Sequence, residues 1–239
     1  MSTLLISDLH LSPQCPAVSE AFFNLLKNES VKFDSLYILG DLFDTWIGDD
    51  DPEPFSHQVI SALKKLSDSG VSVYLMQGNR DFLIGKKFSH DTGCILLGDY
   101  HVCELEGKKV LLLHGDTLCT RDKQYQRYRH IARSGFLRWV LMHLPLKVRQ
   151  RIAAKWRSQS IESNSNKSEN IMDVSPQEVE KIMEKYCIDT IIHGHTHRPN
   201  RHKHLHGERL VLGDWGQNGW FVRITDKTTI ELVSFEIQH

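Results

Sequence analysis

The feature that most constrains the fold is a set of five short apolar runs, each of which stops abruptly at polar residues. Short runs of apolar and partly β-branched residues are typical of buried strands in an α/β sheet. Open α/β sheets bind ligands beyond the carboxyl ends of their strands, so polar residues placed there are candidate functional residues. We therefore expect Asp, Asn and His side chains to meet at one edge of a sheet. The five endings are Asp8-Leu9-His10, Gly40-Asp41, Gly78-Asn79-Arg80-Asp81, His114-Gly115-Asp116 and His193-Gly194-His195-Thr196-His197.

These residue types also form a metal-ligand set. Carboxylate, amide and imidazole groups bind hard and borderline divalent cations, and two-metal hydrolases hold their ions roughly 3.5 to 4 Å apart. A carboxylate has two oxygens, so one Asp can bridge two ions, and Asp41 is our candidate for the bridge. For any single member other interpretations stay open, because an Asp after a strand is commonly a helix N-cap and a lone His commonly binds no metal.

Apolar residues at helical spacing alternate with the strand-like runs, which predicts a layered α/β sandwich. The spacing predicts helices over residues 16–28 and 55–66. Ser175-Pro176-Gln177-Glu178 combines an N-cap serine, a proline at the first helical position and a glutamate three residues on, which predicts a helix from Ser175 to about Tyr186. The 239 residues fit a single domain, 1–239. Short β-rich runs in the tail predict antiparallel strands over residues 210–212, 220–224 and 230–235.

One segment, Arg121 to Arg157, has eleven Lys or Arg residues and a single acid, Asp122. Its aromatic and aliphatic residues recur three or four positions apart, with Gly135 and Pro145 as breaks, which predicts three short amphipathic helices inserted between two strands. Such an insertion could be a solvated lid packed on the body, a surface that lies on an anionic membrane, or a nucleic-acid site. The absence of a nucleic-acid motif disfavours the last. Residues 158–169 are rich in Ser and Asn and predict a flexible linker.

Five cysteines, without a Cys-x-x-Cys pair, favour reduced thiols in a cytosol over a disulfide framework. No apolar run of about 18 residues is present, and the N-terminus has no basic leader. The sequence thus predicts a protein that is soluble or peripheral to a membrane.

The ordered motifs Asp8-x-His10, Gly40-Asp41, Gly78-Asn79, His114-Gly115-Asp116 and Gly194-His195-x-His197 resemble the signature of the calcineurin-like metallophosphoesterases. Arg80 stands where that family usually has His. Gly78-Asn79-Arg80-Asp81-Phe82, 46–51, 114–119 and 195–199 resemble one branch of it, the UDP-2,3-diacylglucosamine pyrophosphohydrolases of lipid A biosynthesis, from end to end. The resemblance implies a layered α/β/β/α metallophosphoesterase sandwich, with a helical lid inserted at about 121–170.

The resemblance also implies the site residues. The residues implied to be catalytic are Asp8, His10, Asp41, Asn79, Arg80, His114, His195 and His197. One ion is expected among Asp8, His10, Asp41 and His197, and a second among Asp41, Asn79, His114 and His195. Substrate contacts are expected from Asn79, Arg80, Asp122, Ser160, Asn164, Lys167 and His195. Asp44, Asp81 and Asp116 are expected either to accept hydrogen bonds from His or loop amides or to cap helices. Two Mn²⁺ ions per chain are expected, although Mg²⁺, Fe²⁺ or Zn²⁺ fit the same ligand types.

The implied reaction is hydrolysis of UDP-2,3-diacylglucosamine by a metal-activated hydroxide, which yields UMP and 2,3-diacylglucosamine 1-phosphate (lipid X). The insertion is expected to accommodate acyl chains, with Leu137, Val140 and Leu141 on its apolar face. Arg149 and Arg151 are expected to meet the cytoplasmic face of an anionic inner membrane. A monomer peripheral to that membrane and no nucleic-acid partner are expected.

Two alternatives remain. Another nucleoside diphosphate-sugar pyrophosphatase, or a nucleotide phosphodiesterase on the same core, would have no use for a large apolar and basic insertion. A non-catalytic scaffold on this fold should have lost ligands, and this chain has lost none of the signature residues.

Overall fold

Two sheets form the centre of the computed structural model, which describes residues 2–165, 173–226 and 229–238, without the side chains of residues 159–165. The first sheet contains β1 (Thr3–Ile6), β2 (Ser35–Ile38), β3 (Ser72–Met76), β4 (Ile95–Leu97), β10 (Asn218–Ile224) and β11 (Ile230–Glu236), in the spatial order β11-β10-β1-β2-β3-β4. The second contains β5 (His101–Leu105), β6 (Lys108–Leu112), β7 (Thr190–His193), β8 (Asn200–His204) and β9 (Gly207–Val211), in the order β5-β6-β7-β9-β8.

The strands that precede the polar motifs are parallel within each sheet. β1, β2, β3 and β4 pair in parallel, as do β6, β7 and β9. Parallel strands place their carboxyl ends at the same edge of a sheet. The predicted run endings therefore come together at these edges.

Both faces of the first sheet are buried, because successive residues of a strand point to opposite faces. Leu4 and Ile6 pack in one apolar cluster with Phe22 of the first helix, whereas Leu5 packs in a second cluster with Leu111 and Ile191 of the other sheet. The helices that cover the sheets are α1 (Pro16–Asn28), α2 (Pro54–Asp68), α3 (Lys86–Thr92) and α7 (Pro176–Tyr186). The predicted α/β/β/α layering is confirmed.

Two local predictions need correction. The helix predicted after an N-cap at Ser175 is present as α7, but the Ser175 side chain makes no cap bond and donates instead to Gln177 Oε1 at 3.1 Å. The first predicted tail strand is antiparallel to β8 but parallel to β7, and it lies in the second sheet. Strand pairing joins residues that are distant in sequence, so the local pattern carries no information about which sheet a strand enters.

Three helices lie between β6 and α7, as the basic segment predicts. They are α4 (Lys123–Ala132), α5 (Gly135–His143) and α6 (Leu146–Ser165), and we refer to them as the inserted helices. Asp122 and Ser134 cap α4 and α5 by accepting backbone N–H groups at 3.0 and 3.3 Å. α6 continues to Ser165, so the predicted linker at 158–169 is wrong as far as that residue. Within the described residues, none of the helices has the length and apolarity that crossing a bilayer requires.

Candidate metal centre

The polar strand endings share an unusual backbone conformation. A positive φ is uncommon for any residue except glycine, because Cβ then crowds the backbone. Strained residues of this kind persist only where the surrounding structure holds them, and they concentrate at functional sites. Asp and His adopt a positive φ more readily than most residues, but the sequence alone does not show which of them do so. The candidate ligands that adopt it are Asp8 (54°), His10 (49°), Asp41 (52°), His195 (67°) and His197 (54°).

Asp8, His10 and His197 form the first cluster of candidate ligands. His10 Nε2 lies 3.4 Å from His197 Nε2, which in turn lies 3.4 Å from Asp8 Oδ1. Asp8 Oδ2 accepts hydrogen bonds from Ser7 Oγ at 2.6 Å and His195 N at 2.8 Å. Asp8 Oδ1 and His10 Nδ1 are buried and have no hydrogen-bond partner among the described residues. Buried polar atoms are rarely left unsatisfied, so the orphaned Asp8 oxygen that faces two imidazoles fits a cation in this position.

The second cluster surrounds Asn79. Asn79 Oδ1 lies 3.0 Å from both His114 Nε2 and His195 Nδ1, and His114 Nε2 lies 3.8 Å from Asp41 Oδ2. The donor atoms of Asp8, Asp41 and His114 all lie within 4.8 Å of one another, so Asp8 connects the two clusters. Asp41 Oδ1 accepts the backbone N–H of Arg80 at 2.8 Å. Asp41 as the bridge between two ions stays a prediction.

Electrostatics favours the metal-binding protonation states of Asp8, His10 and His195, whereas nearby carboxylates, acting against burial, raise the pKa values of His114 and His197. Burial alone would raise the pKa of Asp8, but the contact with His197 and the charges of His114 and His197 hold that pKa well below its usual range. Burial lowers the pKa of His10 and, together with the charge of His114, lowers the pKa of His195 to about 4. At neutral pH, Asp8 is therefore ionised while His10 and His195 are neutral, the forms in which these side chains bind metals.

Two motif glycines allow the loops to approach this closely. A Cβ on Gly78 would lie 2.1 Å from Asp41 Oδ1, and one on Gly194 would lie 1.9 Å from Asp8 Oδ2. Any side chain at these positions would displace a candidate ligand. Gly78 and Gly194 are thus explained by contact with the carboxylate of another motif.

The three neighbouring aspartates act differently from one another. Asp81 accepts the backbone N–H groups of Leu42 at 2.8 Å and Gly78 at 2.7 Å, as predicted, and so ties two ligand loops together. Burial and the charge of Asp41 raise the pKa of Asp81 to about 7. Asp116 and Asp44 bind side chains instead. Asp116 accepts from Tyr125 and Arg129, and Asp44 pairs with Arg80 and Arg157.

The profile of the calcineurin-like phosphoesterase family matches residues 1–199. The chain belongs to this family. A protein named UDP-2,3-diacylglucosamine hydrolase from Pseudomonas putida is 48% identical over 98% of this chain and 98% of its own length. One of the same name from Photorhabdus laumondii is 50% identical over 98% and 99% of the two chains. An archaeal phosphodiesterase structure matches at a TM-score of 0.51 and 12% identity over 98% of this chain and 100% of that chain, which supports the fold alone. The predicted resemblance is confirmed at the level of the family.

A cavity of about 240 Å³ lies beside the metal-ligand clusters of this phosphoesterase, between the core and the inserted helices. Asn79 and Arg80 line it on the side of the candidate ligands, and Arg157 lines it from α6. Its apolar wall comes from Phe82, Leu141, Ile152 and Trp156. Sequence reasoning missed the role of Ile152 and Trp156 as cavity walls, because helical spacing shows that residues share a face but not what that face meets. It also missed Phe82, which lies in the loop between β3 and α3, where no helical or strand periodicity applies.

The predicted substrate contacts are only partly brought together. Asn79, Arg80 and His195 lie at the centre, whereas Asp122 is buried, caps α4 and is not among the described cavity-lining residues. Ser160 and Asn164 lie on α6, but their side chains, and Lys167 altogether, lie outside the described residues. The roles of these four residues stay predictions.

Proposed function

We propose that this protein hydrolyses the pyrophosphate of UDP-2,3-diacylglucosamine to give UMP and 2,3-diacylglucosamine 1-phosphate. The observation that carries the proposal is the cavity. Its polar side reaches Asn79 and Arg80 next to the metal-ligand clusters, and its apolar side is built by the inserted helices. A substrate that joins a pyrophosphate to acyl chains needs this combination. The two relatives named UDP-2,3-diacylglucosamine hydrolase, about half identical over nearly their whole length, support the same substrate.

We propose that Asp8, His10, Asp41 and His197 hold one divalent ion, and that Asp41, Asn79, His114 and His195 hold the other. Two ions held there would supply an activated water at neutral pH and would stabilise charge on phosphate oxygens. The set contains oxygen and nitrogen donors and no thiolate, which suits Mn²⁺. The orphaned Asp8 oxygen, the neutral imidazoles and the strained backbone support this assignment.

Neighbouring groups orient two of the imidazoles. His114 Nδ1–H donates to Leu39 O at 2.9 Å, so that Nε2 presents its lone pair to the centre. His197 Nδ1 lies 3.5 Å from Asp214 Oδ2 and directs Nε2 toward Asp8. A carboxylate or carbonyl behind a metal-binding His fixes its tautomer and its ring orientation. These contacts prepare the two rings for metal binding.

Arg80 is placed to bind a phosphate group. Its guanidinium lies 3.3 Å from Asp44 Oδ1, and Arg157 of α6 pairs with the same carboxylate. A guanidinium stays protonated at neutral pH and can form two parallel hydrogen bonds to phosphate oxygens. The Asp44 carboxylate thereby holds two cations at the polar side of the cavity. The acyl chains would lie along Phe82, Ile152 and Trp156, where each buried methylene contributes about 0.8 kcal/mol.

The test compares UDP-2,3-diacylglucosamine, UDP-N-acetylglucosamine and bis-p-nitrophenyl phosphate in the presence of Mn²⁺. We expect a large preference for the diacylated substrate, with UMP as the nucleotide product. Ile152→Ser should lower kcat/KM for the diacylated substrate and leave the rate with bis-p-nitrophenyl phosphate unchanged. Equal kcat/KM values for the two UDP-sugars would show that the enzyme is instead a general nucleoside diphosphate-sugar pyrophosphatase.

We also propose that the inserted helices lie against the cytoplasmic face of an anionic membrane. Three apolar residues of α4 and α5 are unusually exposed, with 59% of Ile131, 76% of Phe136 and 59% of Trp139 accessible. Exposed basic residues lie on α4 and α6, and the single acid of residues 121–157 is buried. Apolar side chains insert into the interface, and each basic residue adds on the order of 1 kcal/mol near anionic lipid.

The predicted membrane role of Arg149 is wrong. Arg149 is 3% exposed and donates to Ile47 O at 2.7 Å and Asp50 Oδ1 at 2.7 Å, so it fastens α6 to the core. The apolar face predicted from Leu137, Val140 and Leu141 also differs in the structure. Leu141 is buried in the core, and Leu137 packs against that core.

Vesicle sedimentation tests the membrane proposal. Phe136→Ser with Trp139→Ser should weaken binding to vesicles that contain phosphatidylglycerol, and Lys147→Glu with Arg151→Glu should weaken it most at low salt. Leu205→Ser is the control, since Leu205 is apolar and 84% exposed on the β8–β9 turn. If the wild type ignores anionic vesicles at low salt, the inserted helices are a packed lid and the membrane proposal is wrong.

A further inference from the structure

Arg129 of α4 and Arg133, the residue at the C-cap of that helix, reach from the inserted helices into the core. They are one helical turn apart and only 15% and 14% exposed. Arg129 binds Asp116 through Nε at 2.7 Å and Asp99 through a terminal nitrogen at 2.7 Å. Arg133 binds the other oxygen of Asp99 and lies 3.6 Å from Asp116. The two side chains thus share the same two carboxylates.

Among the described contacts, Arg133 alone of this pair also binds the backbone of a ligand loop. A terminal nitrogen of Arg133 donates to Gln77 O at 2.9 Å and to Gly78 O at 3.0 Å. These are the last two carbonyls before Asn79. Gly78 N on the opposite side donates to Asp81 Oδ1 at 2.7 Å. The peptide units on both sides of Gly78 are therefore held by a charged side chain.

Holding this segment matters because glycine loses more conformational freedom on folding than any other residue. Gly78 cannot be replaced by a stiffer residue, since a Cβ there would lie 2.1 Å from Asp41 Oδ1. Asn79 follows directly, and its Oδ1 lies 3.0 Å from both His114 Nε2 and His195 Nδ1. A small rotation of the Gly78 peptides would move that oxygen away from both imidazoles.

We propose that Arg133 is a positioning residue that fixes the Gln77–Gly78 peptides, so that Asn79 can complete the second metal site. The inserted helices are then a structural part of the metal centre as well as a wall of the cavity. The inference rests on the proposed function in one respect, that Asn79 is a metal ligand. It adds that a metal site built on the sheet edge depends on a residue 54 positions later in the chain.

Arg133→Met and Arg129→Met are the matched pair that tests it. Both substitutions remove ion pairs to Asp99 and Asp116, but only the first removes the bonds to the loop carbonyls. The metal-free proteins are titrated with Mn²⁺, bound metal per chain is counted, and electron paramagnetic resonance separates single ions from a spin-coupled pair. We expect Arg133→Met to weaken the second ion by about 10- to 100-fold with the first ion unchanged, the usual effect of losing a group behind a metal ligand.

Arg129→Met should keep both ions within a few-fold of wild-type affinity. Equal losses in the two variants, or wild-type binding of two ions by Arg133→Met, would overturn the inference. Failure of the wild type to bind two ions would count against the proposed metal sites instead. If Arg133→Met does not fold, Arg133→Lys replaces it, because lysine keeps the charge near Asp99 but lacks the planar fork that spans both carbonyls. Arg133→Lys should also lose the second ion before the first. A wild-type affinity of Arg133→Lys for the second ion would likewise overturn the inference.

Discussion

Gly194→Ala tests whether the close packing of the ligand loops is required. Gly194 is not among the residues with a positive φ, so alanine can adopt its backbone conformation. The new methyl group would lie 1.9 Å from Asp8 Oδ2 and 2.2 Å from Ser7 Oγ. Non-bonded heavy atoms settle at about 3.5 to 4.0 Å, so the Asp8 carboxylate has to move by more than about 1 Å.

Such a movement has two measurable costs. Overpacking a close contact destabilises a fold by about 1–3 kcal/mol, which a domain with about 5–15 kcal/mol of stability survives. A displacement of about 1 Å in a catalytic group costs on the order of 10²-fold in rate. We therefore expect Gly194→Ala to stay folded, to lose about 10²-fold in kcat and to bind the first metal ion more weakly.

The assay combines thermal unfolding, Mn²⁺ content and turnover of bis-p-nitrophenyl phosphate. Gly216→Ala is the matched control, because a Cβ there meets nothing within 4 Å and its φ is not positive. We expect Gly216→Ala to match the wild type in all three measurements. Wild-type metal content and turnover in Gly194→Ala would refute the argument that glycine is needed for the approach to Asp8.

Three further substitutions test separate parts of the site. Asp41→Ala should lose most of both bound ions, whereas His114→Ala should lose only the second; two tightly held ions per Asp41→Ala chain, counted by metal analysis, would remove Asp41 as the bridge. Arg80→Ala should keep both ions but lose about 10²- to 10³-fold in kcat, since it removes a donor to the transition-state phosphate; Arg80→His should not restore the rate. Arg149→Met should lower the free energy of unfolding by about 1.5–3 kcal/mol through loss of its hydrogen bonds to Ile47 and Asp50, while the exposed Arg151→Met leaves it unchanged in chemical denaturation.

The sequence predicts which polar residues lie at the edge of the sheets, because the pattern that indicates them is local. An apolar run followed at once by Asp, Asn or His specifies both a buried strand and a polar group at its end, as for Asp8, Asn79 and His114. What the sequence could not show is how the loops turn. Asp and His tolerate the left-handed backbone better than most residues, but the surrounding structure decides that Asp41 and His195 adopt it, so the local sequence does not specify it.

For the inserted helices, the sequence predicts the number of helices but not which of their side chains are buried. Their number and breaks follow from helical spacing and from Gly135 and Pro145, but basic residues lie on every side of them. Arg149 and Arg151 differ by two positions, and one is a buried anchor while the other is exposed. Which arginine is buried depends on carbonyls and carboxylates that lie about a hundred residues earlier, such as Ile47 O and Asp50. Spacing within the segment contains none of that information.

The anchors of the inserted helices lie on both sides of the cavity. Arg133 holds the Gln77–Gly78 peptides next to Asn79, and Arg149 holds Ile47 at the other wall. The segment that Arg133 contacts leads directly into Asn79 and Arg80, which line the cavity, and Ile47 itself lines it. If Arg133 positions Asn79 as proposed, contacts of the inserted helices hold both the cavity wall and the segment before Asn79 in the folded protein, so the entropy of ordering these loops is not lost again when substrate binds. A change that breaks the contacts of Arg133 with the Gln77–Gly78 peptides should for that reason weaken metal binding and acyl-chain binding together.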